Sequence, residues 1–466
     1  MRIPARELQA DFAVLKRALE ELHPGLYRYN TREQMAAHFA ELQAALNRDL
    51  TIPEAYLAIS TFTAKIRCGH SHANFVNQPK AVAAALTRGA GRVPFTFRWI
   101  DRRMIVTGSF AGAESLKPGT EILSLNGVPA GTVLDRLLTI TRADGSNDAK
   151  RVSQLEATAD YELGAFDVFF PLFFPLPDGR LQLQIREPLT GKKGALTVPA
   201  IPWERPRNPN PPPSPRGSDP VWAIQFLDAD TAYLPMSTWA LYDSKWDWKA
   251  ALKQTFDDLA RRKTANLIVD LRDNEGGQDV GDEILSRVIQ KPLAAPAFER
   301  RVRYRKAPDD LIPYLDTWDP SFKDWKTAAT DLGNGFYRLV REWESAEGDV
   351  IQPVGPRFEG KLWVLVSANN SSATFQFAQA VQEAKAGTLV GQPTGGNRRG
   401  INGGAFFFLR LPNSKIEVDI PLIGYFPAAE QPDTGVQPDI AVQPSAEDIA
   451  RGIDRELATV RERIKR

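Results

Sequence analysis

The chain has 466 residues, 43% of them apolar and 25% charged, the composition of a protein with substantial buried cores and more than one domain. Its 58 basic and 57 acidic residues leave a formal net charge of +1, which excludes an electrostatic footprint for nucleic acid or an anionic membrane surface. No apolar run approaches the length of a spanning helix, a single cysteine (Cys68) rules out an internal disulfide, and the four histidines (His23, His38, His70, His72) show no metal-ligand spacing.

The chain opens with MRIPARELQADF, amphipathic at once and without the pattern of a signal peptide, so a cytoplasmic protein or a mature form lacking its leader is expected. Leu8, Phe12, Leu15, Leu19 and Leu22 share one helical face, closed by His23-Pro24-Gly25. Met35, Phe39, Leu42 and Leu46 make a second helix, and Ala55 to Phe62 a third after Thr51 and Pro53. The spacing predicts a helical domain over residues 1–75, with His23 a cap or surface residue and His38 packed or solvated beside an apolar face. AKIRCGHSHANF, at 64–75, places His70 and His72 on one side of an extended segment. They are either satisfied imidazoles of a polar turn or include a general base for a distant serine.

Residues 76–200 read as a β-rich domain. Phe95–Trp99 and Met104–Val106 pair across Asp101-Arg102-Arg103; Glu121–Leu125 is a strand, Asn126-Gly127 a hairpin turn and Val133–Leu138 a short helix. The stretch SLKPGTEILSLNGVPAGTVLDRL resembles the core of a PDZ domain, without an evident glycine-led carboxylate-binding loop, so it is a scaffold or a binding module. Residues 201–220 are dense in proline and read as an extended linker or a proline-rich ligand.

From 221 to 445 strand and helix alternate, the pattern of a βα-built sheet. Thr231–Met236 is a strand, Trp246–Ala260 an amphipathic helix and Asn266–Leu271 a buried strand ending in RDNEGGQD. Residues 290–360 are an irregular insertion carrying Tyr304, Tyr314, Trp318, Trp325, Tyr337 and Trp343, either a substrate-facing cap or a surface subdomain. Leu362–Val366 is a buried strand, and the polar loop Ser367 to Ser372 leads from it into a helix carrying Phe375, Phe377, Ala378, Ala380 and Val381. A serine on such a turn has its hydroxyl lifted from the sheet, beside the unpaired N–H groups and positive end of the helix. That arrangement presents a nucleophile and receives an oxyanion, although Ser and Asn at such junctions also serve as caps. Thr388–Val390, Ala405–Leu409 and Ile416–Ile420 are expected to continue the sheet, and 446–466 to form a charged amphipathic helix.

Three separated stretches, LIVDLRDNEGG (267–277), SSATFQFAQAVQEAKAGTLVGQPTGG (371–396) and GVQPD (435–439), resemble in this order the core of the C-terminal-processing and tricorn-type serine peptidases. The helical start, the histidine segment and the PDZ-like segment also fall where such proteins carry them. The resemblance implies an α/β protein: a ClpP/crotonase-like catalytic core with an N-terminal helical domain and a PDZ-like β-rich domain. It further implies a serine peptidase working through an acyl-enzyme without metal or cofactor, on a peptide or protein substrate. Ser372 matches the nucleophile, with the oxyanion held by the N–H of Ala373 and of Gly276 or Gly277. Asp270 and Arg272 read as a structural pair shaping the turn before those glycines.

The C-terminal-processing branch uses a lysine base shortly after its Thr-x-Gly stretch, where this chain has Asn397. Arg398 and Arg399 cannot replace it, because a guanidinium does not deprotonate in proteins. The tricorn-like branch uses a histidine in a Gly-x-Ser-His-Ala string, which Gly69-His70-Ser71-His72-Ala73 matches. The match puts His72 at the base with Ser71 beside it in a relay, and His70 is the alternative. Glu430, or Asp433, would orient the imidazole. A non-catalytic binding protein on the same scaffold, or an esterase-type hydrolase, are the other readings. Export to the periplasm or medium is the location the resemblance implies.

Overall fold

The computed structural model describes residues 2–466 apart from positions 90, 111, 159–162, 206, 209, 295–297 and 342–349. The chain divides into two compact units. One comprises Met1–Pro209, Glu299–Trp343 and Arg399–Phe426; the other comprises Asn210–Phe298, Glu344–Arg398 and Pro427–Arg466. Helices and sheets are mixed in both. Among the described residues no helix is long and apolar enough to cross a membrane.

In the first unit the apolar faces read from the sequence become the helices Ala5–Leu22, Arg32–Ala45 and Ile52–Lys65. Thr31 with Gln34, and Thr51 with Glu54, form capping boxes that satisfy the first-turn N–H groups. The third helix therefore starts at Ile52 rather than Ala55, because Pro53 sits in the first turn, where its missing N–H is no loss. Of the two readings of His23 the cap holds and the surface position does not: it is the C-cap of the first helix and is 1% exposed.

Strands Phe95–Ile100, Arg103–Ser109, Glu121–Leu125, Arg180–Arg186 and Lys193–Pro199 follow one another in an antiparallel sheet. The turn residues Asp101 and Arg102, and then Asn126 and Gly127, have the positive φ that tight hairpins need (48°, 63°, 48° and 80°). Helices Asp148–Gln154 and Ala165–Phe173, which the β-rich reading did not anticipate, also fall in this stretch. Within the proline-dense segment Arg207 is buried, not extended into solvent; it pairs with buried Asp167 and donates to the Val93 carbonyl at 3.2 Å.

A second sheet of this unit has the order Leu315–Asp316, Asn402–Arg410, Glu417–Pro427, Phe298–Val302, Tyr337–Leu339, Ala329–Asp331. This corrects the expectation that Ala405–Leu409 and Ile416–Ile420 continue the βα sheet. The two form an antiparallel pair with each other, Leu409 opposite Val418. The alternation of Ala405, Phe407 and Leu409 inward is the signature of an antiparallel sheet covered on one face, not of a strand buried on both. The insertion supplies the other strands of this sheet, with Tyr304 and Trp325 buried, Tyr314 and Tyr337 half-buried and Trp318 exposed. Trp343 lies outside the described residues.

The second unit holds a six-stranded sheet in the order Ile440–Ala441, Thr388–Gly391, Lys361–Val366, Asn266–Asp270, Thr231–Pro235, Gln225–Phe226. All neighbours are parallel except the last edge pair. Asn266–Asp270 is buried at every position, as a strand covered on both faces must be. Helix Trp248–Arg262 begins two residues later than expected because Asp247 caps it. The expected terminal helix is two, Ala446–Ala450 and Arg455–Ile464: Gly452 turns left-handed (φ 66°) and Asp454 starts a new cap. Val460 of the second piece packs with Ile268, Trp363, Leu365 and Val390.

Removing one member of a buried ion pair strands the other charge. Arg207→Ala is expected to cost about 3–5 kcal/mol, read as a lower midpoint of urea unfolding.

Candidate active site

In the second unit, strands Asn266–Asp270 and Lys361–Val366 run parallel with Asp270 opposite Leu365, so the loops that follow them leave the same sheet end side by side. The two loops are stitched by buried amides. Asn370 Nδ2 donates to the Leu271 carbonyl at 2.5 Å and to the Asn274 carbonyl at 3.0 Å, and its Oδ1 accepts from Ser367 N. Asn274 Nδ2 donates to the Met236 carbonyl at 2.8 Å. Ser371 Oγ donates to the Glu275 carbonyl at 3.1 Å, and Thr374 Oγ1 to that of Asn274 at 3.1 Å. Asn274 and Asn370 are each 0% exposed. Arg272 anchors the first loop from behind, bridging Asp270 at 2.6 Å, Asp454 at 2.7 Å and Glu456 at 3.2 Å.

Ser372, half-buried, stands at the first position of helix Ser372–Glu383 with φ 51°. A left-handed conformation costs a side-chain-bearing residue about 1–2 kcal/mol, and here the surrounding loop bonds hold it. Gly276 lies against this turn. A Cβ built on it would sit 2.7 Å from the Ser371 carbonyl oxygen, 3.0 Å from Ser372 Cβ and 3.1 Å from Ala373 N. At Gly277, φ 140°, a Cβ would fall 2.1 Å from the Trp239 carbonyl. Only glycine lets the two backbones approach this closely. The Gly276 N–H donates to Asn274 Oδ1 at 2.9 Å. The structure thus brings together Ser372, Ala373, Gly276 and Gly277 in one unit, and among the described residues the Gly277 N–H shows no bonded acceptor.

The same unit places the remaining motifs. Thr394 and Val436 exchange N–H···O bonds (Thr394 N to the Val436 carbonyl at 3.0 Å, Val436 N to Thr394 Oγ1 at 2.9 Å), tying GVQPD to the PTGG turn. Asn397 is buried and donates to Asp433 at 2.6 Å, so the position that would carry a lysine holds a neutral amide. Glu430 is exposed.

The histidine segment belongs to the first unit. Its peptide groups are held on several sides: Gly69 N donates to Asp144 Oδ1 (2.9 Å), Arg142 donates to the Gly69 carbonyl (2.5 Å), Asp419 N to the His72 carbonyl (2.9 Å) and Tyr56 Oη to the Ala73 carbonyl (2.7 Å). His70 lies 5.8 Å from the Phe406 ring. Burial, with Arg142 and His70 nearby, holds the His72 imidazole well below its ordinary value, and among the described residues its Nδ1 has no hydrogen-bond partner. Burial also pushes the Asp419 carboxyl up to about 6 and Asp144 up to about 6. Ser71 is 0% exposed, and its Oγ lies 2.7 Å from His23 Nε2. The Gly25 N–H donates to His23 Nδ1 at 3.0 Å, and burial, with Arg28 close by, pushes that imidazole down to about 3.

Sequence reasoning did not single out Asn274, Asn370, Asp419 or the buried role of His23. The asparagines flank the glycines and the serine inside the two loop strings, and that proximity was the one available signal. Among the described residues no cluster of His, Cys, Asp and Glu could hold a metal ion.

Residues 230–442 match the model of Peptidase family S41. The structure of mature CPAF complexed with lactacystin aligns with 99% of this chain and 98% of its own at 16% identity and a TM-score of 0.67. The structure of mature CPAF aligns with 96% and 94% at 15% identity and a TM-score of 0.63. At such identities the likeness is one of fold. No curated protein sequence matches the chain.

Asn370→Ala leaves buried carbonyls of Leu271 and Asn274 without their donor, at about 1–3 kcal/mol for each group. A thermal melt of the purified variant is expected to fall accordingly, whereas Asn369→Ala, on the more accessible side of the loop, should change it less.

Proposed function

We propose that the chain is a serine-type peptidase of the tail-specific and tricorn type, as the match of residues 230–442 to Peptidase family S41 supports, and that it hydrolyses peptide bonds through an acyl-enzyme with Ser372 as nucleophile and His72 as general base. The observation that carries the reading is Ser372 held left-handed at a helix N-terminus, with Gly276 and the N–H of Ala373 packed against it. Ser372 Oγ attacks the scissile carbonyl carbon and gives its proton to the imidazole. The oxyanion that forms is met by the Ala373 N–H and a glycine N–H. Gly277 suits that second role better than Gly276, whose N–H serves Asn274. The C–N bond then breaks, the imidazolium returns the proton to the leaving amine, and water releases the acyl group by the same route in reverse.

Glu430 is the acid this reading assigns to orient the base, and His70 the alternative base. The catalytic sheet is read as ClpP/crotonase-like, and the antiparallel sheet around Glu121–Leu125 with helix Ala130–Leu138 as PDZ-like. A peptide or protein substrate and an exported location, periplasmic or secreted, go with it.

The test is labelling of the purified protein by a fluorophosphonate probe. Ser372→Ala and His72→Ala are each expected to lower the labelling rate by a factor of about 10³ or more, while His70→Ala retains most of it. Undiminished labelling of Ser372→Ala would refute the reading, and loss in His70→Ala alone would move the base to His70.

The pH profile follows from the half-buried imidazole, whose Nδ1 is out of reach of water. Only its neutral form accepts the serine proton, and a lowered value keeps that form populated further into acid. The labelling rate is expected to hold between pH 8 and pH 6. An ordinary imidazole titrating at about 6.5 would leave roughly a quarter of it at pH 6.

A further inference from the structure

Among the groups that tether the Gly69–Ala73 segment is His23, from the end of the first long helix, whose ring is buried. Gly25 N–H donates to Nδ1 at 3.0 Å, which makes Nδ1 the lone-pair nitrogen and leaves the proton on Nε2. Nε2–H can therefore only donate, and Ser71 Oγ receives it at 2.7 Å. Asn402 Nδ2 lies 3.3 Å from the nearby Cys68 Sγ. The hydroxyl thus has a fixed donor in the His23 ring. Gly69 and His70 lie in a turn closed by the Ser71 N–H on the Cys68 carbonyl at 3.3 Å, and His72 follows at the bridge to Asp419, where neighbouring side chains point to opposite sides. Anchoring Ser71 on one side therefore sets the direction of His72 on the other.

We propose that His23 is a positioning residue for the catalytic base: its Nε2–H, oriented by the Gly25 N–H, locks Ser71 and through it the rotation of the peptide that carries His72. The inference rests on the peptidase reading above. It assigns to the His23-Pro24-Gly25 turn a role beyond ending a helix. His23 touches neither substrate nor reacting atoms in this role. A misplacement of about 1 Å at a reacting group can slow chemistry by 10²-fold, so the link is expected to matter for rate more than for folding.

Glutamine and asparagine separate the two ring nitrogens. Glutamine places an N–H donor near the position of Nε2, whereas asparagine offers an acceptor near Nδ1 and no donor to Ser71. Fluorophosphonate labelling rates and thermal melts would be measured for the full chain carrying His23→Gln, His23→Asn, Ser71→Ala, the double variant His23→Asn with Ser71→Ala, and Ser372→Ala. The expected result is a loss of about tenfold or more in His23→Asn and in Ser71→Ala, no further loss in the double variant, and recovery to within about threefold of wild type in His23→Gln. The proposal is overturned if His23→Asn labels like wild type, if His23→Gln is as slow as His23→Asn, or if the losses in the double variant multiply. If His23→Asn fails to fold, the contrast of Ser71→Ala with His23→Gln decides in the same way. Ser372→Ala stands apart: labelling retained there refutes the peptidase reading itself, whatever His23 does.

Discussion

The second unit depends on two buried asparagines more than on any ion pair. Asn370 and Asn274 spend nearly all their hydrogen-bonding capacity on the backbone of the two loops that leave adjacent parallel strands. Buried carbonyls in loops must find donors, and the sheet ladder cannot supply them past the strand ends. The amides do so, and in doing so they fix the distance between the loops. The left-handed turn at Ser372 follows from that constraint, since the loop has no freedom left in which to relax it. The close approach of Gly276 follows as well, because a side chain at that position would collide with the serine turn.

The first unit solves a similar problem with different means. Its histidine segment is a turn and a short extended piece outside any regular sheet, joined to Asp419 by a single bridge. Tethers from Asp144, Arg142, Tyr56, Asp419 and His23 replace the ladder. Several of these groups are titratable, and burial moves them in the direction that removes charge: the imidazoles downward, the carboxyls upward. A neutral, pre-oriented imidazole is the form in which a general base must wait.

Arg272 shows how the polar framework reaches the end of the chain. Its guanidinium joins Asp270 at the sheet end to Asp454 and Glu456 at the start of the last helix. Such a network, largely buried at Arg272, buried at Asp270 and Glu456 and exposed at Asp454, contributes little net stability against an apolar replacement, but it specifies one geometry. Here the geometry specified is the path of the loop that carries Asn274 and both glycines.

The resemblance to the peptidase family and the alternation of strand and helix were legible in the amino-acid sequence, because each rests on local strings. The run of LIVD demands a strand buried on both faces, the glycines a turn no other residue can make, and SSATF a helix start. Hairpins at Asp101-Arg102 and Asn126-Gly127 were equally local matters of φ. What the string could not reveal is which buried polar groups meet. His23 reads as a helix-end residue until the fold brings Ser71 to it across a sequence separation of 48 residues. The strands at Asn402–Arg410 and Glu417–Pro427 read as more of the same sheet until their partners turn out to be the insertion. Local conformation is decided by neighbours in sequence, so one sequence suffices to read it. Hydrogen-bond partners, sheet membership and the protonation state of a buried ring are decided by neighbours in space, and only the tertiary structure supplies those.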